Sequence, residues 1–444
     1  MIQTFVNAWK VPELRKKILF TLMVILLYRI GANLIIPYVS VAGIEFTNTA
    51  FNEGIFGLLT MMSGGAFSQA TFFALSVSPY ITASIVIQLL SVAIPKLEKL
   101  SKDEEGKKKL TAATRWVTVL LAIITAFGYV NLLNSYGLLT EAATPNANNK
   151  HILPWIVMIA CLCAGASMIM WLAEKINEYG IGNGISIILF ANIISGFTRY
   201  IEGAISMVKG PLGWYTGWNL VLGILGIIIS VVLALAAIVF IVWFTNSERR
   251  IKVIYAKRVV GRKTYGGQKT NLPLKMNMAG VMPVIFASSI VSLPAMIAGF
   301  LKPTSGFAKF VNNWLGTDTA IYFVLFVALI VAFSYFYIAI SFNPVEVANN
   351  IRNNGGAIIG IRPQEMAPFI KKILNRVTTM GAVFLVVISG VPILVGSIAS
   401  LLDVNFTSLA FAGTSLLIAV GVALEIVRDL EAQLSMRNYK GFLD

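Results

Sequence analysis

Residues 221–244 read VLGILGIIISVVLALAAIVFIVWF, a run with no charged side chain and no polar stripe. A helix rises about 1.5 Å per residue, so roughly 20 apolar residues cross a hydrocarbon core of about 30 Å. This run is long enough. A closed barrel, the other structure that spans a bilayer, alternates polar and apolar residues, whereas these positions are apolar on every face. The run therefore reads as a membrane helix.

Working outward from it, further apolar stretches fall at roughly 18–37, 75–95, 115–136, 152–172, 184–202, 218–244, 279–300, 319–341, 377–402 and 407–427, which predicts about ten spans. Of the 444 residues, 57% are hydrophobic and 12% charged, with a mean hydropathy of +0.79, outside the range of a domain whose surface faces water. The expected class is an all-α integral membrane protein. Its first span follows Lys10, Arg15, Lys16 and Lys17 and has no small-residue cleavage site, so it is expected to be retained as a helix.

Charge sets the expected orientation. With the N-terminus in the cytoplasm, all but six of the 35 Lys and Arg fall on cytoplasmic segments; the exceptions are Lys150, Arg199, Lys209, Lys302 and Lys309 outside and Arg29 in the first span. That bias predicts cytoplasmic N- and C-termini.

Two cytoplasmic loops are long. Residues 245–278 carry Arg249, Arg250, Lys252, Lys257, Arg258, Arg262, Lys263, Lys269 and Lys275 against the single acid Glu248, and residues 342–376 carry Arg352, Arg362, Lys371, Lys372 and Arg376. The patch at 251–256, with Val259 and Val260 after it, predicts a hairpin. Such loops either bind something acidic or serve only topology and anionic lipid, and composition alone leaves both open. The outer segment 38–74 is broken by Gly54, Gly57, Gly64 and Gly65, so residues 56–62 can form only a short helix. A half-helix facing outward and a lid at the interface both fit it.

Enzymatic chemistry is missing. The apolar runs hold no His-Glu-x-x-His, no Gly-x-Ser-x-Gly and no Gly-x-x-x-x-Gly-Lys. Cys161 and Cys163 share one run with no ligand spacing around them, and His151 is the single histidine, so neither a metal nor another cofactor is expected. An ion-coupled carrier would bury acids near midplane, yet Glu174, Glu425 and Asp429 lie at cytoplasmic ends. A secondary transporter thus loses its strongest support. The spans do hold uncharged polar groups: Ser76, Ser78, Thr82, Ser84 and Gln88 around the second, and Ser288, Ser289 and Ser292 in the seventh. These suit hydrogen bonds between helices. Pro79, Pro95, Pro283 and Pro294 bend the same two helices.

Several stretches carry a specific resemblance. They are Met61-Met62-Ser63-Gly64-Gly65-Ala66 with Pro79-Tyr80-Ile81-Thr82-Ala83-Ser84-Ile85; Gly180-Ile181-Gly182-Asn183-Gly184-Ile185-Ser186; Tyr255-Ala256-Lys257-Arg258 with Leu272-Pro273-Leu274-Lys275; Gly360-Ile361-Arg362-Pro363; and Gly413-Thr414-Ser415-Leu416-Leu417-Ile418. In order, spacing and topology the chain resembles the SecY family of protein-conducting channels along essentially its whole length.

That resemblance implies ten transmembrane helices in two inverted, pseudo-symmetric five-helix halves around an hourglass pore. The halves would be residues 1–202 and 203–427, followed by a cytoplasmic tail at 428–444. It implies an apolar pore ring of Val77, Ile81, Ile185, Leu189, Ile285 and Ile418. A plug would comprise Phe56, Gly57, Leu58, Leu59, Thr60, Met61, Met62, Ser63, Gly64, Gly65 and Ala66. Thr82, Ser84, Gln88, Asn277 and Ser288 would line a lateral gate between the second and seventh helices. Lys257, Arg258, Arg262, Lys263, Lys275 and Arg362 would meet partners. Those implied are SecE and SecG, the SecA ATPase, the ribosome with its nascent chain, signal peptides of preproteins, and anionic lipids. The implied location is the bacterial cytoplasmic membrane, and the implied activity is passive conduction of preproteins, driven by a partner.

Overall fold

The computed structural model describes residues 2–40, 59–60, 62–141, 143, 152–206, 209–210, 213–214, 218–255, 258–260, 263–265, 269–299, 305–316, 319–401 and 412–440. Its helices are α1 (Ile2–Lys10), α2 (Pro12–Gly31), α3 (Ser78–Ala93), α4 (Pro95–Lys102), α5 (Glu104–Ser135), α6 (Ile152–Tyr179), α7 (Gly184–Ser206), α8 (Trp218–Asn246), α9 (Met282–Gly299), α10 (Gly306–Trp314), α11 (Ala320–Ser341), α12 (Pro344–Asn353), α13 (Met366–Leu401) and α14 (Ala412–Lys440). Each of the ten apolar stretches carries one of them. Among the described residues, Glu104–Ser135, Ile152–Tyr179, Ile227–Asn246, Ala320–Asn353 and Met366–Val391 are long and apolar enough to cross a membrane unaided. The bent pair Ser78–Ala93 and Pro95–Ser101 makes a sixth if it is one broken span.

The boundaries follow local chemistry. Helix α3 starts with Pro79 in its first turn, where the missing N–H costs nothing. It stops at Ile94, extended because Pro95 follows, and the chain turns by 112° into α4. Only the first three residues of the 75–95 stretch depart from the apolar reading: turns run through 72–77, with Ser76 in the left-handed region at φ 51°, as Ala70 is at 47°. Helix α14 likewise runs on through the expected tail without a break, as far as Lys440.

Side chains on α8 show what solvent the fold needs. Val239 and Trp243 are 68% and 65% exposed, in a stripe with Val232, Leu233 and Leu235. Such a face in water would be an association hazard; in lipid it costs nothing.

Packing is densest within two groups, α2, α3, α5, α6 and α7 on one side and α8, α9, α11, α13 and α14 on the other. Phe244 and Phe384 stack at 3.9 Å to join α8 to α13. The groups meet along two seams, α3 and α5 against α9, and α7 against α14. Close approach is built in: a Cβ on Gly421 of α14 would strike the Val281 side chain that leads into α9.

The predicted hairpin is present and larger than expected. After a two-residue ribbon of β1 (Lys209–Gly210) and β2 (Gly213–Trp214), strands β3 (Glu248–Tyr255) and β6 (Lys269–Lys275) pair antiparallel, enclosing a smaller hairpin of β4 (Arg258–Val260) and β5 (Lys263–Tyr265). A third strand, β7 (Gly356–Ile358), comes from the second long loop and pairs with β3. Ile251, Val253, Leu274, Ile351, Ile358, Met366 and Ile370 form a common core beneath the sheet. The two loops are one folded platform.

Candidate functional site

At the loop-bearing end of the bundle lies a cavity of about 930 Å³, lined by polar residues, among them Lys17, Glu178, Lys275, Arg428 and Asp429, and by apolar ones, among them Ile241, Leu417, Val422 and Ile285.

Local capping builds one side of it. Asn183 precedes α7 and its Oδ1 accepts from the Ile185 N–H at 3.0 Å, while Asn177 Oδ1 accepts from Gly184 N–H at 2.7 Å. Both satisfy donors that a helix start leaves open. The turn before them is tied to α14, because Gly182 N–H donates to Asp429 Oδ2 at 3.0 Å and Gln433 Nε2 donates to the same oxygen at 3.1 Å. Lys17 Nζ donates to Gln433 Oε1 at 3.1 Å, adding the foot of α2. Burial and the neighbouring Arg428 push the Lys275 ammonium below its ordinary range, with Glu248 opposing them.

The six expected ring residues belong to one apolar cluster, which also holds Ile241, Leu417 and Val422 of the cavity lining. Val77, Ile81, Leu189, Ile285 and Ile418 are buried in one apolar cluster, and Ile185, half-buried, packs against it. They come from α3 and its approach, α7, α9 and α14, so both packing groups contribute. A constriction of branched aliphatic side chains offers water no hydrogen bonds and dewets when narrow.

Of the expected plug, Phe56, Gly57, Leu58 and Met61 lie outside the described residues. Leu59, Thr60, Ser63 and Ala66 are buried, and Ala66 joins the same apolar cluster with Met62 packed against it. Two groups on α7 that the motif reading passed over hold this segment: Asn192 Nδ2 donates to the Met62 carbonyl at 2.8 Å, and Ser195 Oγ donates to the Gly64 carbonyl at 3.3 Å. A signal for Asn192 existed. It stands seven residues after Ile185 and three after Leu189, hence on their helix face, as the one amide in an apolar run.

The expected gate residues behave differently. Helices α3 and α9 do pack together. Their polar groups, however, bond within their own helices: Thr82 Oγ1 to the Ser78 carbonyl at 3.0 Å, Gln88 Nε2 to Ser84 Oγ at 3.2 Å, and Ser288 Oγ to the Ile285 carbonyl at 2.9 Å. Asn277 is buried and lines the cavity. Among the described residues no side-chain hydrogen bond joins α3 to α9.

Of the basic loop residues, Lys257 and Arg262 lie outside the described residues. Arg258 and Lys263 sit in β4 and β5, and Lys275 closes β6 opposite Glu248. Arg362 is exposed just past β7 and is steadied by its own turn, whose Glu365 N–H donates to the Arg362 carbonyl at 2.9 Å.

The sequence profile of SecY matches residues 71–427. The chain belongs to the SecY family. It is 43% identical to the protein translocase subunit SecY of Streptomyces scabiei, with all of both chains covered. Among solved structures it resembles one described as a protein conducting channel, at a TM-score of 0.61 and 17% identity over 94% of this chain and 92% of that one. A second likeness is to Sec61 in the canine ribosome-channel complex from the endoplasmic reticulum, at a TM-score of 0.58 and 16% identity over the same shares. At those identities the structures speak for the fold. Membership of the SecY family makes the chain a multi-pass membrane protein and a protein-conducting channel subunit of the Sec translocase, without an enzymatic activity of its own.

Proposed function

We propose that this SecY chain conducts unfolded preproteins across the bacterial cytoplasmic membrane, and releases membrane segments sideways, through a pore closed by the cluster of Val77, Ile81, Ile185, Leu189, Ile285 and Ile418. The observation that supports the reading is that these side chains, from both packing groups, share one apolar cluster bordering a cavity of about 930 Å³. The ten helices form two inverted halves of five around an hourglass pore, and both termini face the cytoplasm.

Residues 56–66 act as the plug on the outer side. The seam of α3 and α9 is the lateral gate. A signal peptide opens it by binding the parted form better than the closed one, which is all that a ligand-driven shift requires. With no hydrogen bond across that seam, parting forfeits mainly dispersion contacts, which lipid or a signal helix replaces.

The loop platform receives the SecA ATPase or the ribosome with its nascent chain. Exposed Arg250, Lys252, Lys269 and Arg362 suit an acidic or phosphate-bearing partner. SecE and SecG complete the heterotrimer, and anionic lipids meet the remaining basic residues. Reconstitution with SecE, SecG and SecA in vesicles tests this directly: ATP-dependent protection of a preprotein is expected, and its absence, with folded complex present, refutes it.

A further inference from the structure

The segment ahead of α3 is held in a way that neither its glycines nor the apolar cluster explains. Asn192, fully buried, donates through Nδ2 to the Met62 carbonyl at 2.8 Å and to Ser76 Oγ at 3.4 Å, and Ser76 Oγ donates to the same carbonyl at 3.3 Å. The backbone lies hard against α7. At Gly64, φ is 65°, and a Cβ would stand 2.7 Å from Ser195 Oγ and 3.0 Å from the Asn192 Cα.

The Tyr28 hydroxyl of α2, also sealed from solvent, adjoins Asn192 and Ser76. Ala70 and Ser76 add left-handed backbone that non-glycine residues adopt at a cost. An alanine at 192 would leave the Met62 carbonyl with Ser76 Oγ as its remaining side-chain donor, so the amide supplies hydrogen bonding that packing alone does not.

We propose that Asn192 is the positioning residue that seats residues 62–77 against the constriction. The proposal rests on reading the segment as the plug. The donor side of the amide is satisfied through Met62 and Ser76, which fixes the segment on α7.

Thiol labelling in the reconstituted complex tests this. In a Cys161→Ala, Cys163→Ala background, Ala66→Cys and separately Ser63→Cys report on sites that are 1% exposed when the segment is seated. Losing hydrogen bonds to a buried carbonyl shifts such an equilibrium by about 5- to 150-fold, so Asn192→Ala is expected to raise the rate of maleimide labelling at both sites by at least that lower figure. Ser195→Ala gives a smaller rise. Labelling of Asn192→Ala at the parent rate overturns the proposal. So does an equal rise in Ser389→Ala, whose hydroxyl is also buried but bonds to the Leu385 carbonyl of its own helix. Resting conductance in a variant lacking residues 59–66 separates the two claims. No rise there refutes the plug reading, whereas a rise there with parent-level labelling in Asn192→Ala refutes the seat alone.

Discussion

Val253 of the first long loop pairs with Ile358 of the second, and both side chains are buried in the core beneath the sheet. The consequence is mechanical. A force or ligand acting on Arg362, four residues beyond Ile358, is felt by a folded unit that continues into α8, α9 and α13.

Two substitutions separate surface chemistry from support. Arg362→Glu reverses an exposed charge and is expected to abolish SecA-driven transport while leaving the thermal midpoint in detergent unchanged. Ile358→Asp places a carboxylate in the apolar core and should destabilise the platform by about 2–5 kcal/mol, lowering the midpoint and transport together. Normal transport in vesicles carrying Arg362→Glu would refute the docking role.

The bond from Gly182 N–H to Asp429 Oδ2 joins the lead-in of α7 to α14 across a seam between the packing groups. Asp429→Ala leaves that donor and Gln433 without their shared acceptor, and a loss of about 1–3 kcal/mol is expected from thermal unfolding of the purified complex. A midpoint within error of the parent would show that the contact does not hold the seam.

Ser84 and Ser288 bond within their own helices, so neither holds the gate shut. Ser84→Ala and Ser288→Ala should each change stability by less than about 0.5 kcal/mol. Cysteines at the same two positions should form disulfide crosslinks to an arrested signal sequence. Absence of crosslinks at both, and at neighbouring turns, would contradict a mobile wall there.

The helices were legible in the sequence because lipid demands long apolar runs, and all ten runs carry one. Their ends were less so. The run at 75–95 gave no sign that its first three residues would stay in turns, since Ser76 takes up left-handed backbone that a non-glycine residue rarely adopts. Strand β7 escaped notice for a different reason: three residues are too few to show alternation, and its partner lies a hundred residues away. The ring residues were named by resemblance, since isolated Ile, Leu and Val in apolar helices look alike. Asn192 was visible by its spacing from Ile185 and Leu189, yet its partner is a backbone carbonyl that no side-chain pattern reveals. The gate side chains were read as contacts between helices, but serine and threonine also find acceptors one turn back in their own helix.

The central claim is that a dry aliphatic constriction holds back ions. Planar-bilayer recording of the resting complex with Ile81→Ser, Ile285→Ser and Ile418→Ser combined tests it most directly. Hydroxyls at these buried positions should let water wet the constriction, so the resting ion current is expected to rise well above that of the parent. A current indistinguishable from the parent, from correctly assembled channels, would contradict the account.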